Sequence, residues 1–394
     1  MLAVVQTHPI QYHAPVFRIL HQRFGVPLQV IYASDFSVTG YRDADFGVTL
    51  SWDTDLLAGY PSLFLSRVAD GGPRTFEEVS SRGVAAVLAR LHPSAVLVCG
   101  YRPHLHRAAF FQAWRSGCAV LFRAETTDTE PHSRLKAAVR RAGLRLLYAR
   151  CARLLYIGER SRRHFESLRC DASRLVFSPY CTDTGSFQTD EAARMRLRAP
   201  LRRVLGVGPD DLLVLFSGKL TSKKRPDLLV QALCRLQTSS SKRIAGLFLG
   251  DGGLRSGLES AVGSAPPLRV HFVGFKNQTE LSPYYHAADL LVLPSQHSET
   301  WGIVVNEALC HGLPCVVSDA VGCAADLIKP GQTGEVFDVG SVEGLEAAIL
   351  RASMLVGRAD IRAACRRLAD EYSVERAAAG IAQAYRSVVD ATAN

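Results

Sequence analysis

The chain has 394 residues, enough for two or three domains. Apolar residues make up 47% and charged residues 21%, which excludes collagen-like and disordered compositions. The net charge is +9, no apolar run approaches the ~18 residues of a membrane-spanning helix, and the first residues lack the basic and apolar blocks of a leader peptide, so a cytoplasmic location is expected.

Short runs rich in Val, Leu and Ile alternate with longer amphipathic segments. In the first half the spacing predicts strands at Ala3–Gln6, Leu28–Tyr32, Leu63–Leu65, Ala95–Cys99, Ala119–Phe122, Leu154–Ile157 and Leu175–Phe177. Helices are predicted at Phe76–Leu91, His104–Ser116 and Arg134–Ala149. Continuous apolar strands between helices mean a parallel sheet covered on both faces, a Rossmann-like α/β domain. Residues 180–209 are polar, rich in Arg and contain Pro200 and Pro209, so they read as a linker with a boundary near residue 190. The pattern then restarts. Strands are predicted at Leu212–Phe216, Ile244–Leu249, Val270–Val273, Leu290–Leu293, Cys315–Ser318 and Glu335–Phe337. Helices fit Asp227–Gln237, Leu254–Val262, Ser282–Ala287, Ile303–His311 and Val342–Leu355. Two such domains, 1–190 and 191–371, create a cleft between the carboxyl ends of two sheets, where ligands bind in these folds.

Ten cysteines form no CxxC pair and no metal-finger spacing, and read as small buried hydrophobes. The charge is uneven. Between Arg134 and Arg169 stand eleven basic and only two acidic residues. Five more arginines lie between Arg194 and Arg203. Contact with an anionic membrane or a phosphorylated substrate is one reading, and a solvated helix face is the other. Nucleic acid is not indicated, because no basic motif interleaved with aromatics is present.

The densest chemical signal is Ser295-Gln296-His297-Ser298-Glu299-Thr300-Trp301-Gly302-Ile303-Val304-Val305-Asn306-Glu307. It follows a strand ended by Pro294 and opens a helix. Backbone N–H groups near Trp301 to Val304 would then sit at a helix N-terminus and favour an anion. Gly302 would let a ligand approach the backbone. Glu307, about one turn further in, would reach the ribose of a nucleotide whose diphosphate sits on that N-terminus. The alternative is that Glu299 and Glu307 are exposed helix-start residues. A second signal is Ser217-Gly218-Lys219-Leu220-Thr221-Ser222-Lys223-Lys224, again between a strand and a helix. Three of the chain's seven lysines fall in it, and a lysine is a compact charge suited to a pyrophosphate oxygen. The third signal is the glycine turn Gly250-Asp251-Gly252-Gly253.

These residues resemble glycosyltransferase family 4, a retaining family with the GT-B fold. Gly218-Lys219 with Lys224 resembles its Gly-Arg…Lys turn, and Gly250-Asp251-Gly252 its glycine turn. Val273-Gly274-Phe275, Ala288-Asp289 and Leu293-Pro294-Ser295 follow in order, and Glu299 and Glu307 match its paired glutamates. The resemblance covers about residues 210 to 340. It implies a nucleotide-diphosphate sugar held by the second domain, with UDP expected from its frequency in the family. Ser217, Gly218 and Gly250 would line the donor. Lys219 and Lys224 would neutralise the diphosphate without a metal or other cofactor. Phe275 and Lys276 would contact the base, and Glu307 the ribose. Glu299 would hold the donor sugar, with the amides of Trp301, Gly302 and Ile303 nearby. The anomeric configuration would be retained. The acceptor would be a hydroxyl of a glycan, a lipid-linked sugar or a small molecule. Residues 372–394 would form a helix crossing back to the first domain. A peripheral place at the inner face of a membrane, through 134–169, would suit a lipid-linked acceptor.

The chain also departs from the family. In place of a glycine-rich loop after the first strand stand His8 and His13. In place of the usual histidine after a middle strand stands Phe122-Arg123-Ala124-Glu125-Thr126. His13 and Glu125 are therefore candidates for contact with donor or acceptor. Other classes fit less well. The Asp-x-Asp pairs Asp43/Asp45 and Asp53/Asp55 of a metal-dependent transferase follow no clear strand. The GxGxxG fingerprint of a nicotinamide enzyme is absent. A sugar-nucleotide epimerase of the same fold and a non-catalytic sugar-nucleotide-binding partner subunit remain alternatives.

Overall fold

The computed structural model describes residues 1–42, 49–50, 52–125, 134–240, 242–263, 268–296 and 299–393. Asp43, Asp45, Thr126, His297 and Ser298 lie outside the described residues. The chain forms two compact units, one of Met1–Tyr41, Thr49–Asp183 and Ser373–Asn394, the other containing Thr184–Tyr372.

In the first unit the strands are β1 (Leu2–Gln6), β2 (Leu28–Tyr32), β3 (Ser62–Phe64), β4 (Ala95–Val98), β5 (Ala119–Arg123), β6 (Arg153–Tyr156) and β7 (Leu175–Phe177). They form a parallel sheet in the order β3-β2-β1-β4-β5-β6-β7. The helices are α1 (Ala14–Gln22), α2 (Val84–Leu91), α3 (His104–Arg115), α4 (Arg134–Ala149) and α5 (Glu159–Ser167). Successive strand residues face opposite sides of a sheet. Leu2, Val4, Val30 and Leu97 accordingly pack against Phe17 and Leu20 of α1 and against Ile381 and Tyr385 of the C-terminal helix, Val374–Ala393. Ala3, Val5, Val96 and Val98 pack on the other side with Leu88, Phe110 and Phe165. The C-terminal helix lies close enough that a Cβ on Gly380 would stand 2.0 Å from the Phe177 carbonyl oxygen.

In the second unit the helices are α6 (Glu191–Val204), α7 (Pro226–Ser239), α8 (Arg255–Gly263), α9 (Ser282–Ala287), α10 (Val304–Cys310), α11 (Ala324–Leu327), α12 (Val342–Ser353) and α13 (Ala359–Glu371). The strands are β8 (Leu212–Ser217), β9 (Ile244–Leu249), β10 (Arg269–Gly274), β11 (Leu290–Leu293), β12 (Cys315–Ser318) and β13 (Gly334–Phe337). They form a second parallel sheet, ordered β10-β9-β8-β11-β12-β13.

Two expectations need correction. The helix expected over Phe76–Leu91 is only α2, because Gly83 takes the left-handed conformation (φ 83°) immediately before it. The segment expected to be a linker contains α6, with Pro200 inside it. Asp190 caps this helix by accepting from the Ala193 N–H. Arg198 and Arg202 then anchor it on Asp289, at 2.5 and 3.0 Å. These arginines are structural staples. Part of the basic stretch 134–169 is likewise spent on α5, where Arg162 pairs with Glu166 and Arg163 with Glu159. Among the described residues no helix is long and apolar enough to cross a membrane.

Candidate functional site

Three adjacent strands of the second unit end in glycine. Gly218 follows β8 with φ 141°, Gly250 follows β9 with φ 140°, and Gly274 closes β10 with φ 73°. The Gly218 N–H donates to the Leu249 carbonyl and the Gly250 N–H to the Gly274 carbonyl, both at 2.9 Å. A Cβ on Gly250 would sit 2.0 Å from the Gly218 oxygen. Glycine is needed here so that backbones can touch, which brings the loops after the three strands into one edge. Phe275 and Lys276 follow on that edge. Lys276 pairs with Glu280 at 3.2 Å.

The lysine loop after β8 meets the loop after β11. The Gln296 N–H donates to the Lys223 carbonyl at 2.9 Å. Lys224 Nζ then reaches Glu299 Oε2 at 2.5 Å, and Ser295 Oγ donates to the same oxygen at 3.0 Å. Both partners are mostly buried, with side chains 18% and 9% exposed. Lys219 is half-buried in the same loop. One ammonium proton serves Glu299, so two more donors of Lys224 can serve a ligand.

Glu307 lies on α10 and is buried. Tyr285 of α9 donates to its Oε2 at 2.6 Å, and the same hydroxyl lies 3.2 Å from Ser217 Oγ. Burial pushes the Glu307 carboxyl up to about 7, against the Tyr285 hydrogen bond and the Lys224 charge, which both favour ionisation. Tyr285 is itself fixed by His311, whose ring stacks on it at 4.9 Å. His311 Nδ1 donates to the Glu307 carbonyl at 2.7 Å, so Nε2 accepts from Ser282 Oγ at 2.9 Å. Burial drives this imidazole down to about 3, and it stays neutral.

Neither glutamate is an exposed helix-start residue. Another expectation changes its physical basis. A Cβ on Gly302 (φ 97°) would stand 2.9 Å from Leu293 Cδ2 and Val321 Cγ1. The space beside Gly302 is filled by protein, so packing accounts for this glycine rather than the approach of a ligand. Trp301 is also buried, with Nε1 donating to Asn306 Oδ1 at 2.8 Å. Its backbone, with those of Gly302 and Ile303, leads into α10, a helix of seven residues. Tyr285 is not singled out by the sequence, and Ser295 appears there only within its motif, without a role. A tyrosine in a short apolar helix carries no signal until its hydroxyl partner is known.

In the first unit His13 and Glu125 both neighbour Tyr180. The His13 ring lies 6.1 Å from the Tyr180 ring. Gln6 Nε2 donates to His13 Nδ1 at 3.0 Å. Burial, then the Arg123 charge, lowers the His13 imidazole to about 3. The Tyr180 hydroxyl is pushed well above its usual range by burial and by the Glu125 charge. His8 packs on Phe36 at 4.5 Å and is lowered to about 4 by burial. Asp55 Oδ1 accepts from the Leu57 and Ala58 N–H groups, which makes it a turn residue. Among the described residues no group of three or more His, Cys, Asp or Glu is placed to hold a metal ion.

Solved structures with the same architecture define the class. A sucrose-phosphate synthase from Thermosynechococcus elongatus aligns over 99% of both chains with a TM-score of 0.71 and 18% identity. The Anabaena protein HepE, in complex with UDP and glucose, aligns over 98% of this chain and 99% of its own, with a TM-score of 0.67 and 15% identity. The fold is therefore α/β of the GT-B class, with two Rossmann-like domains. Residues 198–355 match the family model described as glycosyl transferases group 1. A D-inositol 3-phosphate glycosyltransferase of Geodermatophilus obscurus is 30% identical over 247 residues, 59% of this chain and 51% of the relative. The chain spans about half the length, or less, of the curated relatives it matches.

Proposed function

We propose that the chain is a retaining, metal-independent glycosyltransferase that moves a sugar from a nucleotide diphosphate, UDP first among the candidates, to an acceptor hydroxyl. The observation that carries this reading is the convergence of Lys224, Glu299 and Glu307 at the carboxyl ends of β8 and β11, inside the segment that matches the family model. Parallel α/β sheets bind ligands at those strand ends. Lys219 and Lys224 neutralise the diphosphate, so that charge developing on the leaving group meets fixed cations. Phe275 and Lys276 receive the base on the neighbouring strand end. Glu307, aimed by Tyr285, accepts hydrogen bonds from the ribose. Glu299 accepts from sugar hydroxyls, and the backbone of Trp301, Gly302 and Ile303 lies beside it. The bond from the anomeric carbon to the phosphate oxygen breaks as the acceptor oxygen bonds on the same face. The acceptor proton passes to the departing phosphate. His13 and Glu125 are the first unit's contributions to sugar or acceptor contact. The choice of UDP draws support from HepE, which was crystallised with UDP.

Calorimetric titration with UDP, GDP, ADP and dTDP, with magnesium and with EDTA, tests the donor reading. Micromolar binding of one nucleotide, unchanged by EDTA, is expected. Binding that needs magnesium would remove metal independence, and no binding of any nucleotide would remove the donor site itself.

A further inference from the structure

The basic stretch that begins at Arg134 divides in two. In α5, Arg162 and Arg163 are paired with Glu166 and Glu159. In α4 there is no carboxylate to pair with. α3 and α4 together hold seven Arg or Lys residues and no Asp or Glu. Arg107 and Arg115 of α3 and Arg145 of α4 make no ion pair and no side-chain hydrogen bond among the described residues. Arg141 spends one nitrogen on the Ser167 carbonyl, at 2.9 Å.

Both helices pack on one side of the first sheet, where Phe110 and Ala113 of α3 join Leu144 and Tyr148 of α4 in a single core. They are neighbours, since Arg150, just past α4, sits over the Trp114 ring of α3 at 5.6 Å. Their outer faces are apolar at the centre and cationic at the edges. On α4, Val139, Ala142, Leu146 and Ala149 recur at intervals of three, four and three, which makes one helical stripe, and all four are exposed. Val139 and Leu146 are 67% and 60% exposed. The helical repeat puts Lys136 and Arg140 along one edge of this stripe and Arg141 and Arg145 along the other. On α3, Phe111 is 64% exposed and stands between Arg107 and Arg115, one helical turn to either side. A helix face kept for water carries polar residues at its centre, and this one does not.

We propose that this face binds the surface of an anionic lipid bilayer. α4 lies in the plane of the interface, Val139, Leu146 and Phe111 enter the boundary of the acyl chains, and the flanking arginines meet lipid phosphates. An aliphatic centre between basic edges is what an in-plane interfacial helix needs. The missing carboxylates select anionic over zwitterionic lipid. An acidic protein surface would pair the cations but would leave the aliphatic stripe facing charge. Contact through α3 and α4 needs neither Lys224 nor Glu307, so it stands or falls apart from the proposed sugar transfer.

The test is co-sedimentation of the full chain with vesicles of phosphatidylcholine alone and of phosphatidylcholine mixed with phosphatidylglycerol, at physiological ionic strength. Binding to the mixed vesicles only is expected. Val139→Ser with Leu146→Ser keeps every charge and should weaken that binding about tenfold. Arg145→Gln should weaken it about fivefold. Arg203→Gln removes the same charge from an exposed position of α6 in the second unit, and should leave it unchanged. All these side chains are exposed, so the melting temperatures should match the wild type. Phe111→Ser, on the other helix, gives the same reading should the double variant fail to fold. No binding to the mixed vesicles overturns the proposal. So does equal loss in Arg145→Gln and Arg203→Gln with none in the serine variants, which is the unspecific attraction of a chain of net charge +9.

Discussion

The two units end their central strands differently, although both sheets are parallel and both are covered by helices. In the first unit the cation that ends β5 is Arg123, 4% exposed. Its guanidinium donates to the Ser178 carbonyl, the Ser178 hydroxyl and the Pro179 carbonyl. Ser178 in turn donates to the Ala377 carbonyl of the C-terminal helix. In the second unit the cation after β8 is Lys224, and its partner is the carboxylate of Glu299. Backbone carbonyls cannot leave a guanidinium without unfolding the segment that carries them. A carboxylate side chain can turn away and let a phosphate oxygen take its place. A cation near a strand's carboxyl end is thus a staple in the first unit, and in the second it is the charge we propose a ligand takes over.

The largest expected effect breaks the second half of that comparison. Lys224→Ala removes the ammonium and leaves Glu299 buried with Ser295 as its side-chain donor among the described residues. Nucleotide diphosphate affinity should fall about 100-fold, in the range measured when one partner of a desolvated charge contact is removed. Calorimetry reads this directly. Affinity within a factor of two of the wild type would mean that Lys224 serves Glu299 and the fold, as Arg123 serves Ser178 and Pro179.

The first half is tested by Arg123→Met, which keeps the volume and removes the donors. Two buried carbonyls and a hydroxyl then lose their partner. The first unit should lose about 2 kcal/mol of stability, since part of the cost of unsatisfied acceptors is offset by no longer burying a charge. Denaturant unfolding measures the loss. Nucleotide affinity should not change. A stable variant with weakened binding would mean that Arg123 faces a ligand.

The asymmetry also decides what could be read from sequence. The second unit announces itself because its site needs special residues at fixed places. Gly250 is forced because a Cβ there would stand 2.0 Å from the Gly218 oxygen, Gly218 by its φ of 141°, and lysines are rare enough in this chain to stand out. The strands were legible as unbroken apolar runs. Among the helices that the sequence reading does not predict, α5 and α6 carry arginines where an apolar stripe would be expected, and they are held by ion pairs and a buried Asp289 that no local pattern reveals. Tyr285 was hidden for a similar reason. Its role depends on Glu307, 22 positions away in sequence. Arg123 was visible only as part of a departure from a family pattern, because its acceptors are carbonyls, and every residue has one.

The smallest expected effect sharpens the comparison by asking whether Glu307 is kept for a ligand at the expense of the fold. Its carboxyl rises from 4.5 to about 7 on burial, so the native state binds its proton more tightly than the unfolded chain does. That contribution is complete below about pH 4.5 and is lost as pH rises through about 7. Glu307→Gln keeps an acceptor for Tyr285 but cannot ionise. It should raise the melting temperature of the ligand-free protein by a few degrees near pH 8, and by little near pH 5. A ribose hydroxyl donates best to the ionised carboxylate, so wild-type nucleotide affinity should increase up to about tenfold between pH 6 and 8, over and above whatever change the variant shows. Thermal melts and calorimetry at both ends of the range check this. If the variant melts below the wild type at pH 8, the carboxylate stabilises the fold, and Glu307 belongs with Arg123 among the staples.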